Sequence, residues 1–311
     1  MKKLIGIFAL LICCCAEIQA QEPALHSQYF LNPYSMNPGF AGSAGQSELV
    51  LNARRQWVGL DDGAPIRYDL TFHTPVSAKF AFGTQLRHQS RGLVAGSQLM
   101  VSTAYVLPFK EEVYLRFGLA VGGSYNTIDL SEATEEQQTY LANYDTKASR
   151  AEAAFGLHFR NKNLNLGVTL PSLTGIQYLD NSTVEPLQLD PLQQWLVSAS
   201  YYWEVKPEIL VLEPLLVGQQ FVPNTVRYEG GMVAYFKNMF WAGGTYRYGY
   251  GITGLAGLKI KENVMLGYAY ESATSIEMGG FSGSHEVLFK IKLGQVKDFK
   301  KVIEHKPRFS L

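Results

Sequence analysis

The sequence predicts an all-β protein: a transmembrane antiparallel β-barrel of about 14 strands, with short periplasmic turns and long extracellular loops. Three observations carry this expectation. Apolar character alternates with a period of two along nearly the whole chain after residue 46. The connections between the alternating segments fall into a short set and a long set. Ahead of them stands an apolar leader of the secretory type, and no cysteine follows it.

The leader is MKKLIGIFALLICCCAEIQA, residues 1–20. It has two lysines, an apolar run from Leu4 to Cys15 and the small residue Ala20 before Gln21. That is the layout of a signal peptide, and the run is shorter than the roughly 20 residues a spanning helix needs. The three consecutive cysteines invite a lipoprotein reading, but the residues before Cys13, Cys14 and Cys15 fit a lipidation signal poorly. Cleavage after Ala20 removes all three, so no disulfide, thiolate nucleophile or cysteine metal site is expected in the mature chain. Removing Lys2, Lys3 and Glu17 from 27 basic and 27 acidic residues leaves 25 and 26. A near-neutral chain lacks the basic excess of a nucleic-acid binder, so no nucleic acid is expected as partner.

Residues 21–46 form the next element. HSQYFLNPYSMNPGFAGS fits neither helical nor strand periodicity. Each proline disfavours the α-region for Asn32 and Asn37, which keeps the stretch extended and turned. With Tyr29, Phe30, Pro33, Tyr34, Met36, Pro38 and Phe40 it is too apolar to remain free, and it is expected to fold against or into the periplasmic end of the barrel as a plug or docking strip.

The barrel occupies residues 47–293. Its alternating segments lie at about 47–57, 65–75, 79–89, 95–108, 112–126, 149–160, 163–170, 192–205, 208–221, 226–236, 239–248, 252–260, 263–272 and 284–293. In the second, Ile66, Tyr68, Leu70 and Phe72 alternate with Arg67, Asp69, Thr71 and His73. The ninth, EILVLEPLLVGQQF, is apolar on both faces and interrupted by Glu213-Pro214, where a bulge or distortion is expected. Every second connection is short (TPVS, FKEE, NK, KP, KN, KE), whereas the other set contains the stretches 128–148, 171–191 and 272–283. An outer-membrane barrel shows this asymmetry, and an even strand number places both termini in the periplasm. In lipid, closure also satisfies every backbone N–H and C=O without leaving an edge. Trp57, Tyr105, Trp195, Tyr201, Trp203, Tyr246, Tyr268 and Tyr270 suit the interfacial girdles.

The faces opposite the lipid carry Arg67, Asp69, Arg87, Arg116, Glu152, Arg160, Arg227, Glu229, Arg247, Glu271, Glu286 and Lys290. They read either as a charge-selective pore lining or as internal salt bridges in a barrel that conducts nothing. The mixed signs favour the second. Small residues at Gly118, Gly122, Gly156, Gly243 and Ala269 leave room for something inside.

No catalytic residue, cofactor site or metal site is expected. Gly249 to Gly254 matches G-x-G-x-x-G, but strand rather than helix is expected to follow. Gly280 to His285 is not a G-x-S-x-G elbow. His158 reads as a satisfied lumenal side chain, and the six histidines lack metal-ligand spacing. Asn181-Ser182-Thr183 has the N-x-T form. The basic tail, residues 294–311, is expected in the periplasm.

Several stretches together resemble the PorP/SprF-like outer-membrane proteins of the type IX secretion system of Bacteroidota. They are QYFLNPYSMNPGFAGS, ARRQWVGLDDGAP at Ala53 to Pro65, NLNLGVTLPSL at Asn163 to Leu173, FWAGGTYRYG at Phe240 to Gly249, MLGYAYE at Met265 to Glu271 and GSHEVLFKI at Gly283 to Ile291. The family pattern has Asp after Y-A-Y, where this chain has Glu271. The resemblance implies a non-enzymatic fourteen-strand barrel. It implies support for the export, attachment or surface display of a large adhesin-like protein with a type IX sorting domain, in some cases for gliding. Periplasmic components of the secretion machinery and outer-membrane lipid are the other implied partners. A porin or transporter for small solutes is the alternative.

Overall fold

The computed structural model describes residues 25–58, 63–131, 133–141, 146–174, 192–222, 225–272 and 283–295. The leader, the tail beyond Gln295 and the Asn181 motif lie outside them. Fifteen strands follow in order: β1 Gln46–Arg55, β2 Ile66–Pro75, β3 Phe80–Arg91, β4 Val94–Lys110, β5 Val113–Ile128, β6 Lys147–Asn161, β7 Leu164–Leu170, β8 Trp195–Tyr201, β9 Trp203–Lys206, β10 Leu210–Val222, β11 Thr225–Phe236, β12 Phe240–Arg247, β13 Gly251–Lys261, β14 Val264–Glu271 and β15 Ser284–Gln295. Each pairs antiparallel with its neighbours, and β1 pairs with β15, which closes the sheet. Strands β8 and β9 are two pieces of one stave separated at Tyr202, so the closed barrel has fourteen staves.

Alternation becomes two faces. On β2, Asp69, Thr71 and His73 are buried while Tyr68 and Leu70 are exposed. On β15, Glu286, Leu288, Lys290 and Lys292 are buried while Val287 and Leu293 are exposed. The outward rings gather toward the two rims. Phe80, Phe109, Trp203, Phe236 and Phe240 stand near the short turns, and Tyr68, Tyr125, Tyr228, Tyr246 and Tyr270 near the long loops. Tyr201 and Tyr268 also face outward, and Tyr105 packs beside Phe80, with ring centroids 5.2 Å apart. Trp195 is half-buried. Trp57 departs from the girdle expectation. It lies beyond the end of β1 with a positive φ of 49° and is buried, because the chain turns there out of the strand.

Four of the short hairpins close in left-handed backbone. Glu112, Lys162 and Glu208 each have positive φ, and Lys237 and Asn238 both do, as a two-residue type I′ connection requires. Opposite them, the β5–β6 connection carries a short helix, Glu135–Leu141, which the periodicity did not predict. Thr134 and Gln137 cap it reciprocally, each side chain accepting from the other's backbone N–H. Among the described residues no helix is long and apolar enough to cross a membrane.

The distortion expected at Glu213-Pro214 appears one stave away. Strand β10 stays in register with β11 from Leu210 to Gln219. The break falls in its other neighbour, at Tyr202, opposite Glu213 and Pro214. Pro214 brings no N–H to the ladder, and the partner strand parts where that bond is missing.

Candidate functional site: the occupied lumen

Residues 25–43 run inside the barrel and are almost wholly buried. Three single 3-10 turns, Tyr29–Leu31, Pro33–Ser35 and Pro38–Phe40, shape the path. Pro33 and Pro38 open the second and third turns, where a missing N–H is harmless. Asn32 and Asn37 before them hold φ of −138° and −146°, and the Asn37 side chain accepts from Gly39 N.

The segment spans much of the barrel's height. His26 meets Asp69 and Glu286, near the long-loop ends of β2 and β15, and Gly42 N donates to His73 Nδ1 near the short turns. From Asp69 to His73 along β2 is on the order of 13 Å at strand rise. The segment therefore reaches well beyond the short-turn rim, the end at which the sequence places it.

Each predicted segment residue has a place. Tyr29 and Phe30 join an apolar core with Leu31, Val211, Leu215, Tyr235 and Trp241. Burying rings of this size stabilises by about 1.5–3 kcal/mol each. Asn32 Nδ2 donates to Thr71 at 2.9 Å, and Tyr34 shares a hydrogen bond of 2.8 Å with Ser102. Asn37 Nδ2 donates to the carbonyls of Leu157 (2.9 Å) and Val168 (3.2 Å). Pro33 is half-buried and Pro38 buried. Phe40 stacks on His158 at 3.7 Å, and Arg116 donates to Ala41 O at 2.9 Å. Backbone packs where side chains are missing: a Cβ on Gly118 would strike Pro38 and Gly39, and one on Gly156 would strike Asn37. Gly122 and Gly243 instead lie tight against the neighbouring strands' backbone, and Ala269 sits in the apolar core.

The inward charges pair with one another and with the segment. Asp69 accepts from Arg67 Nε at 2.6 Å, from Arg87 Nε at 2.8 Å and from the His26 ring. Arg54 bridges Glu271 (2.7 Å) and Glu286 (3.4 Å) and donates to Ser27 Oγ (2.8 Å). Glu286 in turn accepts from the backbone N–H groups of Ser27 and Gln28. Arg247 bridges Glu229 and Glu271, and Lys290 bridges Glu48 and donates to Leu31 O. Glu152 accepts from Ser124 and lies 3.8 Å from Arg150. Arg160 donates to Lys162 O, and Arg227 lies over the Tyr250 ring. Buried ions of opposite sign, hydrogen-bonded on several sides, hold the segment against the wall.

Sequence reading missed His26, Glu48, Asn52, Arg54 and His73, which are central to this network. The signal was present: Glu48, Val50, Asn52 and Arg54 alternate with Leu49, Leu51 and Ala53 in β1. His158 bonds Asn165 at 3.2 Å. The Gly249 to Gly254 motif runs from a turn into β13, so no helix follows it.

A family model described as type IX secretion system membrane protein PorP/SprF matches residues 18–291. The chain belongs to the PorP/SprF family. This PorP/SprF member also resembles solved barrels. The outer membrane protein Omp33 of Acinetobacter baumannii is 11% identical over 80% of this chain and 98% of its own, with a TM-score of 0.49. A deletion mutant of the TodX monoaromatic hydrocarbon channel is 10% identical over 84% and 93%, with a TM-score of 0.46. Outer membrane phospholipase A of Escherichia coli is 10% identical over 83% and 98%, with a TM-score of 0.40. At these TM-scores no activity passes from them to the PorP/SprF chain. Among curated proteins, none matches.

Proposed function

We propose that this PorP/SprF protein is a non-enzymatic outer-membrane barrel that supports the export, attachment or surface display of a large adhesin-like protein of the type IX system. The single observation behind this reading is the lumen itself. Residues 25–43 and the ion pairs around them occupy most of it and break what remains into small cavities, which argues against a barrel built for passage of small solutes. Short turns face the periplasm, where β1 begins and β15 ends, within reach of periplasmic secretion components. The long connections face outward, toward a secreted partner bearing a type IX sorting domain. Residues 25–43 act as plug or docking strip. Deleting the gene is expected to strip one large protein from the cell surface and leave small-solute uptake unchanged. Intact surface display with impaired solute uptake would replace this reading with that of a porin.

A further inference from the structure

The N-terminal segment does not fill the lumen evenly. It bonds to β2, β4, β6, β7 and β15, and leaves a cavity of about 210 Å³ on the side of β8 to β10. The cavity reaches the short-turn rim, where Glu112, Lys162 and Asn163 line it. One wall is the segment's own apolar surface, Phe30, Leu31 and Met36, and the facing wall is Val211, Leu215 and Tyr202. Glu213 on that wall accepts from Tyr235 at 2.6 Å.

At the β15 side the cavity is lined by Lys290 and Lys292. Lys290 is satisfied by Glu48 at 2.8 Å and Leu31 O at 2.9 Å, and Glu48 is shared further with His73. Lys292 is a surplus cation. It is 5% exposed, and its ammonium makes no hydrogen bond or ion pair among the described residues. Glu48, already shared by Lys290 and His73, is the carboxylate nearest to it, so the Lys292 ammonium stands open to the cavity with donor capacity unmet. Between these apolar walls the cleft is lined by polar and charged side chains, Arg160, Lys162, Glu112 and Glu204 among them, a mixed lining suited to an amphiphile.

We propose that this cavity binds a single-chain amphiphilic anion from the periplasmic side. The head group accepts hydrogen bonds from Lys292 Nζ, and the hydrocarbon chain lies between Leu31 and Met36 on one side and Val211 and Leu215 on the other. A fatty-acid carboxylate and a monoalkyl phosphate share this chemistry.

The test uses the full-length barrel in nanodiscs of zwitterionic lipid, with calorimetric titration of decanoate, decyl phosphate, butyrate and decyltrimethylammonium. Decanoate or decyl phosphate is expected to bind saturably, and the tighter of the two assigns the head group. Butyrate and the cation are expected not to bind. Lys292→Met keeps most of the length and removes the charge, and is expected to weaken binding on the order of tenfold or more, as loss of a charged hydrogen bond does. The Lys292 side chain makes no hydrogen bond or ion pair among the described residues for that substitution to break. Leu215→Trp fills the cleft and is expected to abolish binding with Lys292 intact. Equal binding by wild type and Lys292→Met, equal binding of the cation, or no saturable binding of either anion overturns the proposal.

Discussion

Asn37 stands where a side chain on Gly156 would have to go, and its carboxamide nitrogen is bonded to Leu157 O, 120 residues along the chain. One missing Cβ on the wall and one carboxamide on the segment thus form a lock-and-notch pair. Gly156→Leu is expected to expel the segment locally while the staves still close. Limited proteolysis read by mass spectrometry should then cut within residues 25–43, where the wild type resists. Asn37→Ala removes the same bonds without the clash, and is expected to lower stability by about 1–3 kcal/mol.

Asp69 holds His26, Arg67 and Arg87 together. Asp69→Ala leaves these side chains without their shared carboxylate and is expected to destabilise by about 3–5 kcal/mol. Asp69→Asn keeps the acceptor oxygen and should lose less. Urea unfolding of barrels refolded into lipid vesicles gives the comparison, and equal loss for both variants would show that charge alone matters.

Wild-type protein is expected to be silent in planar bilayers, whereas a chain lacking residues 25–43 should show discrete conductance steps. The removed stretch accounts for Tyr29, Phe30, Leu31, Tyr34 and Phe40, the rings and apolar side chains that exclude water from the interior. Equal conductance with and without the stretch would show that it does not close the lumen.

Leu70 sits halfway along β2 on the outward face. Leu70→Arg places a charge near the middle of the hydrocarbon and is expected to cost about 2–4 kcal/mol, measured as a shift in the folding midpoint into vesicles. Tyr68→Arg, nearer the long-loop rim, should cost less, since the penalty falls toward the interface.

Much of this architecture is legible in the sequence, because the signals are local. Ile66 to His73 declares its two faces within eight residues, and the KN turn declares its hairpin in two. The twelve inward charges could be named from parity alone, since successive side chains on a strand point to opposite sides. The aromatic character of Trp57 suggests a girdle but says nothing of the turn that buries it. The break falls at Tyr202 and not in the strand bearing Pro214, since sequence shows the proline but not the neighbour that loses its bond.

The sequence by itself determined the closed sheet, its lipid face and its inner face, since a period of two is a property of adjacent residues. It also determined that residues 26–43 are too apolar to stay in water. Only the tertiary structure decided where that stretch goes and what it touches. Arg54 meets Glu271 and Glu286 across 217 and 232 residues, and Ser27 meets Glu286 across 259. Barrel closure brings β15 beside β1 and so creates those partners. Strand register, not composition, sets which charge stands opposite which, and the same register places Lys292 on the wall of the cleft.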